Sequence, residues 1–140
     1  MIKGAIIIFY KILGEEAKFL IVENKQTGNW TFVGGACEND ETEMQTAQRE
    51  IKEEIGLIPE QYNLVETDLH HDFVFNERKK DRAGEQGSYQ VFLADLTDYF
   101  GEVKAEKKVI SKVEWLIEEQ IQKKLTFPEH KEIFQKVINF

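Results

Sequence analysis

Glu50, Glu53 and Glu54 fall three and four positions apart in the run Arg49-Glu50-Ile51-Lys52-Glu53-Glu54. On a helix, where one turn takes 3.6 residues, all three carboxylates project from one side within about a single turn. Like charges at that spacing repel by roughly a few tenths of a kcal/mol per pair. A divalent cation removes the repulsion. Hard oxygen donors with no Cys and no local His favour Mg²⁺ or Mn²⁺ over Zn²⁺. Such an ion bridges phosphate oxygens, lowers the pKa of bound water and offsets charge on a leaving group. The competing reading is a solvated acidic face, the commoner origin of a charge run.

Two nearby features favour the chemical reading. Gly34-Gly35 lets the backbone pass close to a ligand or metal with no side chain in the way. Arg49 directly precedes Glu50 and is placed to fix its orientation by a charge-assisted bond. Together these parts describe a metal-dependent phosphoryl or pyrophosphate hydrolase.

The elements that must hold these residues follow from patterning. Asp40–Ile55 reads as a helix with Asp40 as N-cap and Glu43 completing a capping box. Met44, Ala47, Ile51 and Ile55 give it one apolar stripe, and Gly56 stands where a left-handed C-terminal cap is wanted. Residues 2–10 read as a buried strand, and 18–23 pair back on it as a hairpin. A short strand over 30–33 runs into the glycine pair. Residues 63–75 read as one or two strands, 76–87 as a charged hairpin loop, and 88–96 and 112–116 as further strands. A short helical segment at 118–124 precedes a final helix opened by Pro128, with Ile133, Phe134, Val137 and Ile138 on one side. Strands around a central helix, with another helix at the end, indicate an α/β fold in which helices flank a mixed sheet on both faces.

Composition bounds the setting. The 140 residues suit one domain spanning 1–140, and 41 % hydrophobic with 11 % aromatic residues rules out intrinsic disorder. Lys and Arg total 18 against 26 Asp and Glu, a net charge of −8, which disfavours a generic nucleic-acid binder. Seven acids and two bases between Glu38 and Glu54 supply five of those eight net charges. The one cysteine, Cys37, excludes an internal disulfide and a thiolate metal site. The amino terminus is apolar only over Ala5–Tyr10, too short to span a bilayer and without a signal peptide's cleavage site. A soluble protein of the reducing cytoplasm, with no membrane partner, is expected.

Residues 35–57, GACENDETEMQTAQREIKEEIGL, resemble a complete Nudix box. Gly35, Glu41, Arg49, Glu50, Ile51, Glu53, Glu54, Gly56 and Leu57 fill its defining positions. Seven of these are fixed residue types, so a chance match at one start point is on the order of 10⁻⁹. The flanks agree: a strand hairpin before the box, the Gly-Gly entry, and Trp115 in a late strand. The resemblance implies the Nudix αβα sandwich and hydrolysis of a nucleoside diphosphate linked to a further group. It also implies Glu53 and Glu54 as principal metal ligands, Glu50 as a third ligand or the base that activates water, and the Gly34 carbonyl as a further ligand. Arg49 orients Glu50. Glu41 takes a supporting role, and Gly35 and Gly56 are structural positions of the motif. Many relatives add a carboxylate from outside the box, for which Glu77, Asp81, Glu85, Glu102 and Glu106 are candidates, with the late pair preferred.

Specificity lies beyond the box. The marker positions of the subclasses hold other residues here: Phe73 to Phe75 stand where dinucleoside polyphosphate hydrolases show Tyr, Asp72 where ADP-ribose enzymes show Pro, and Ala36 where MutT-like enzymes show Lys. The basic run Arg78-Lys79-Lys80-Asp81-Arg82, with Arg78 and Lys80 as contacts, suits a polyphosphate tail or is a solvated hairpin tip. Phe73 and Tyr89, with Trp30 and Phe32, are candidates to stack a base or to sit in the core. Only one of His70 and His71 can face a cleft, because neighbours on a strand point to opposite faces. The leading expectation is a Mg²⁺-dependent pyrophosphohydrolase, with Mn²⁺ as substitute, acting on nucleoside triphosphates or dinucleoside polyphosphates. A non-catalytic nucleotide- or protein-binding module and an RNA 5′-end pyrophosphohydrolase are the alternatives.

Overall fold

The computed structural model describes residues 1–74 and 84–139. Its centre is β1 (Ile2–Leu13), whose Ala5–Phe9 segment is buried on both faces and therefore reads as a continuous apolar run. On one edge β1 pairs in parallel with β6 (Gln86–Asp95), which pairs antiparallel with β5 (Asn63–Val74). The other edge of β1 is shared. Residues 10–13 pair with β2 (Glu16–Asn24), and residues 4–7 pair with β4 (Val33–Ala36), both antiparallel. β3 (Trp30–Thr31) and β7 (Ile110–Ile117) each pair with β2, completing a seven-stranded mixed sheet.

Side-chain alternation along β1 sends two sets of residues to two cores. Ala5, Ile7 and Phe9 meet Ala47, Ile51 and Ile55 of α1 (Glu43–Ile55) on one face. Ile6 and Ile8 meet Ile133, Phe134 and Val137 of α3 (Pro128–Ile138) on the other, with Ile121 of α2 (Glu118–Lys124) beside them. Ile51 is fully buried, so its side chain contributes about 2–3 kcal/mol through burial. The expected apolar stripe is the buried one, with Met44 packed at its margin. Helices on both faces of a mixed sheet are as the patterning indicates.

Three expectations need correction. The N-cap of α1 is Thr42, not Asp40: the Gln45 N–H donates to Thr42 Oγ1 at 3.1 Å, and the Thr42 N–H to Gln45 Oε1 at 3.0 Å. Asn39 and Asp40 have φ of 45° and 64°, a left-handed turn from which no residue can act as an extended N-cap. The strand over 30–33 is broken at Phe32, and Gly34-Gly35 lies inside β4 rather than after it. Residues 63–74 form one strand, the first of the two forms expected there, with a register irregularity between Glu66 and His70. Gly56 closes α1 with φ of 71° and its N–H on the Lys52 carbonyl at 3.0 Å, as a left-handed cap should.

Candidate active site

Pairing of β4 with β1 brings Gly35 opposite Ala5 and beneath α1. A Cβ on Gly35 would stand 2.3 Å from Glu50 Oε1, so the carboxylate occupies the space a side chain would need. Glu54, one turn further along α1, is only 8 % exposed and accepts the Gly34 N–H on Oε2 at 3.1 Å. Its carboxylate also lies within hydrogen-bond reach of Glu50. Burial, and then the Glu50 carboxylate beside it, pushes the Glu54 pKa well up. Glu50 is likewise raised, chiefly by burial. Two half-buried to buried carboxylates that touch must share a proton or a cation.

Arg49 ties this pair to the loop before the helix. Its Nε donates to Glu41 Oε2 at 2.9 Å and its Nη2 to Glu41 Oε1 at 3.1 Å, a bidentate fork. Nη2 also reaches the Ala36 carbonyl at 2.9 Å, and Nη1 donates to Glu50 Oε1 at 3.1 Å. Hydrogen bonds from Arg49, and from the Glu38 N–H, pull the Glu41 carboxyl down to about 2. The supporting role expected for Glu41 is therefore a direct grip on the arginine. Glu53 differs from its neighbours. Its side chain is 50 % exposed and turned onto Arg49 Nη1, at 3.3 and 3.2 Å from Oε1 and Oε2. Among the described residues no three His, Cys, Asp or Glu side chains already converge on one point. All the donors at the site are hard oxygens, and the touching Glu50–Glu54 pair is the arrangement a hard divalent cation would relieve, so these residues fit Mg²⁺ or Mn²⁺.

The opposite face of the glycine pair borders a cavity of about 730 Å³. Phe32, His71, Phe73, Tyr89, Phe127 and His130 wall it. His71 stacks on Phe73 at 4.9 Å between centroids, and His130 meets His71 edge-on at 5.3 Å. Burial lowers the pKa of both imidazoles, that of His130 to about 4, so both are neutral near pH 7. His71 faces the cleft and His70 is exposed, in line with the strand argument. Trp30 serves elsewhere, with Lys124 Nζ 4.5 Å above its ring.

Of the candidate extra carboxylates, Glu102 sits on the surface 3.9 Å from Lys104 Nζ, and Glu85 is exposed. Glu106 lies against the end of α1, its N–H on the Glu54 carbonyl at 2.9 Å. Glu77, Asp81, Arg78 and Lys80 fall outside the described residues. Sequence reasoning overlooked Phe127 and His130, although His130 precedes Phe134 by one helical turn and so shares its apolar side. It also overlooked Thr46, fully buried with its hydroxyl 3.0 Å from Glu41 Oε1.

A profile of the NUDIX domain matches residues 2–137. The chain belongs to the NUDIX family. NUDIX relatives among solved structures include the C. elegans Ap4A hydrolase binary complex, with a TM-score of 0.83, 24 % identity, and coverage of all of this chain and 97 % of that one. The E. coli dihydroneopterin triphosphate pyrophosphohydrolase gives a TM-score of 0.81 at 19 % identity, covering 99 % and 96 % of the two chains. At these identities the likeness establishes the NUDIX fold. A curated relative, the m7GpppN-mRNA hydrolase of Saccharomyces cerevisiae strain S288c, is 31 % identical over 109 residues. That match takes in 76 % of this chain and 10 % of the relative, so the chain spans about a tenth of that protein's length. Among the described residues no helix is long and apolar enough to cross a membrane.

Proposed function

We propose that this NUDIX domain hydrolyses the phosphoric anhydride of a nucleoside diphosphate linked to a further group, with nucleoside triphosphates and dinucleoside polyphosphates favoured. The observation that carries the reading is the touching pair Glu50 and Glu54, desolvated, raised in pKa and held over Gly34 and Gly35. No stability argument recommends two carboxylates in that position. A phosphate-directed cation does.

Glu50, Glu53, Glu54 and the Gly34 carbonyl would hold Mg²⁺, with Mn²⁺ as substitute. When bound, that ion supplies Lewis acidity to phosphate oxygens and lowers the pKa of a water nucleophile. The protein's share is positioning. The Gly34 N–H holds Glu54 Oε2 and so fixes the Glu54 carboxylate beside that of Glu50. Arg49 Nη1 holds Glu50 by Oε1, and the Glu50 carboxylate so oriented would take a proton from attacking water. To hold the cation Glu53 would have to leave Arg49 Nη1, and the fork of Arg49 on Glu41 uses Nε and Nη2 and does not depend on that contact. The aromatic cavity beyond the glycine pair is of a size that takes a nucleoside, with Phe73 and Tyr89 as stacking walls. Arg78 and Lys80 remain proposed contacts for the polyphosphate.

Nucleoside triphosphates, dinucleoside polyphosphates and nucleotide sugars, assayed with Mg²⁺ for released phosphate or pyrophosphate, test the reading. Turnover of at least one class is expected; none from any class, with the metal bound, would sink it in favour of a non-catalytic binding module. The likeness to the yeast mRNA hydrolase favours a second reading, removal of phosphates from RNA 5′ ends. Capped and triphosphorylated RNA in the same panel separate it from the first.

A further inference from the structure

Thr46 occupies a position that the resemblance leaves open, yet its side chain is fully buried and its hydroxyl is committed to a charged acceptor. A threonine inside a helix ordinarily returns its hydroxyl to a carbonyl one turn back. Here the hydroxyl reaches instead past the N-cap, to Glu41 Oε1 at 3.0 Å. Glu41 is not itself helical. It lies in the two-residue link, Glu41–Thr42, between the Asn39–Asp40 turn and the first helical residue Glu43, where nothing in the backbone pattern fixes its side chain. Its Oε1 gathers three donors: the Glu38 N–H at 2.9 Å, Thr46 Oγ1 at 3.0 Å and Arg49 Nη2 at 3.1 Å. The first comes from the same loop. The third comes from the residue being positioned. Thr46 is thus the donor that ties the Glu41 carboxylate to the rigid core side of α1.

We infer that Thr46 is a positioning residue, acting through Glu41 and Arg49 on Glu50. With the hydroxyl in place, Glu41 has one rotamer, the guanidinium fork has one plane, and Nη1 is delivered to Glu50 Oε1 at 3.1 Å. Without it, Glu41 keeps the arginine but turns with it. Glu50 then loses the constraint that sets the direction of its carboxylate, at a cost in rate that grows steeply with small displacements. The inference rests on the hydrolase reading for its consequence in turnover, and on hydrogen bonding alone for its consequence in Arg49 geometry.

Two substitutions separate positioning from packing. Thr46→Val keeps the volume and both branches and removes the donor. Thr46→Ser keeps the donor and removes a methyl group. Thr46→Val is expected to lower kcat about tenfold, the effect of losing one charge-assisted hydrogen bond in part, with KM changed less than about twofold. Thr46→Ser is expected to melt at lower temperature than wild type and yet to keep kcat within about twofold. An independent readout is the Arg49 Nε–H resonance, which should be slow to exchange in wild type and in Thr46→Ser and fast in Thr46→Val. Wild-type kcat and Arg49 exchange in Thr46→Val would overturn the inference. So would losses in both variants that simply follow their melting temperatures. If wild type turns over no substrate while the Arg49 resonance still responds to Thr46→Val alone, the hydrolase reading fails and the positioning role stands.

Discussion

The two faces of the sheet at the glycine pair are built by opposite rules. Beneath α1 the site is ionic and closed: Arg49 alone bonds Glu41, Glu50, Glu53 and the Ala36 carbonyl, and every contact comes from residues between 34 and 54. Beneath α3 the site is aromatic and open, and its walls come from β4, β5, β6 and the start of α3. There His130 Nδ1 is buried with no hydrogen-bond partner among the described residues, and among the described lining residues no Lys or Arg appears. The first arrangement has one solution, because a single guanidinium is committed at once to Glu41, Glu50, Glu53 and the Ala36 carbonyl. The second tolerates exchange of one ring for another. A fixed reaction with an adjustable substrate needs that division, and the glycine pair is where the two halves meet.

Disabling the ionic half alone should have the largest effect. Glu54→Gln keeps an acceptor for the Gly34 N–H and removes the charge, so turnover should fall by about two to three orders of magnitude with the fold intact. Near-wild-type turnover in that variant, measured with saturating Mg²⁺, would remove Glu54 from the chemistry. Glu53→Gln should fall comparably, provided Glu53 leaves Arg49 for the metal. Gly35→Ala should cost less, about 10- to 100-fold, by displacing Glu50 from the space its carboxylate fills. Nucleotide binding in the aromatic cavity, followed by tryptophan-independent calorimetry, should survive all three. If Gly35→Ala abolished binding as well, the two halves would be one.

The same division explains what the sequence disclosed. Carboxylates and arginine spaced along one helix obey a 3.6-residue period, so Arg49, Glu50 and Glu54 were legible together, as was the stripe of Ala47, Ile51 and Ile55. Glu53 shares that period, but its rotamer answers to Arg49, which no spacing rule encodes. Gly34 and Gly35 read as a strand end because glycine disfavours strands; pairing with β1 overrides that preference. The aromatic cavity had no local signal. Phe32, His71 and Tyr89 come together only through strand register and His130 only through the docking of α3, and a titratable ring on that helix carries no apolar signal of its own.

The two halves should also answer pH in opposite senses. Glu50 and Glu54 have folded pKa values raised above 4.5, so their contribution to stability is present below about that pH and is lost as pH rises through the raised values. His130 is depressed from 6.5 to about 4, and His71 is depressed too, so their contribution is complete above about 6.5 and is lost as pH falls toward 4. Metal-free protein should therefore be stabilised by Glu54→Gln most at neutral and alkaline pH, and excess Mg²⁺ should raise wild-type melting most in the same range. The His130 ring resonance should titrate with a midpoint near 4. A midpoint near 6.5 would mean that the cavity is wetter than the packing around His130 implies.

The smallest effect bears on how the ionic half is anchored. Thr42 caps α1 and Gln45 returns the bond, so Thr42→Ala should cost about 1 kcal/mol of stability. Asp40 carries φ of 64°, a region in which an L side chain is strained, so Asp40→Gly should be neutral or stabilising by a few tenths of a kcal/mol, roughly. Denaturant midpoints decide between the two residues. Wild-type stability in Thr42→Ala would remove Thr42 as the cap. Because Glu41 lies between them, a frayed Thr42 end should also loosen the grip on Arg49, whereas Asp40→Gly should leave kcat unchanged. The cap thereby connects a one-turn event at the start of a helix, through Glu41 and Arg49, to Glu50 Oε1.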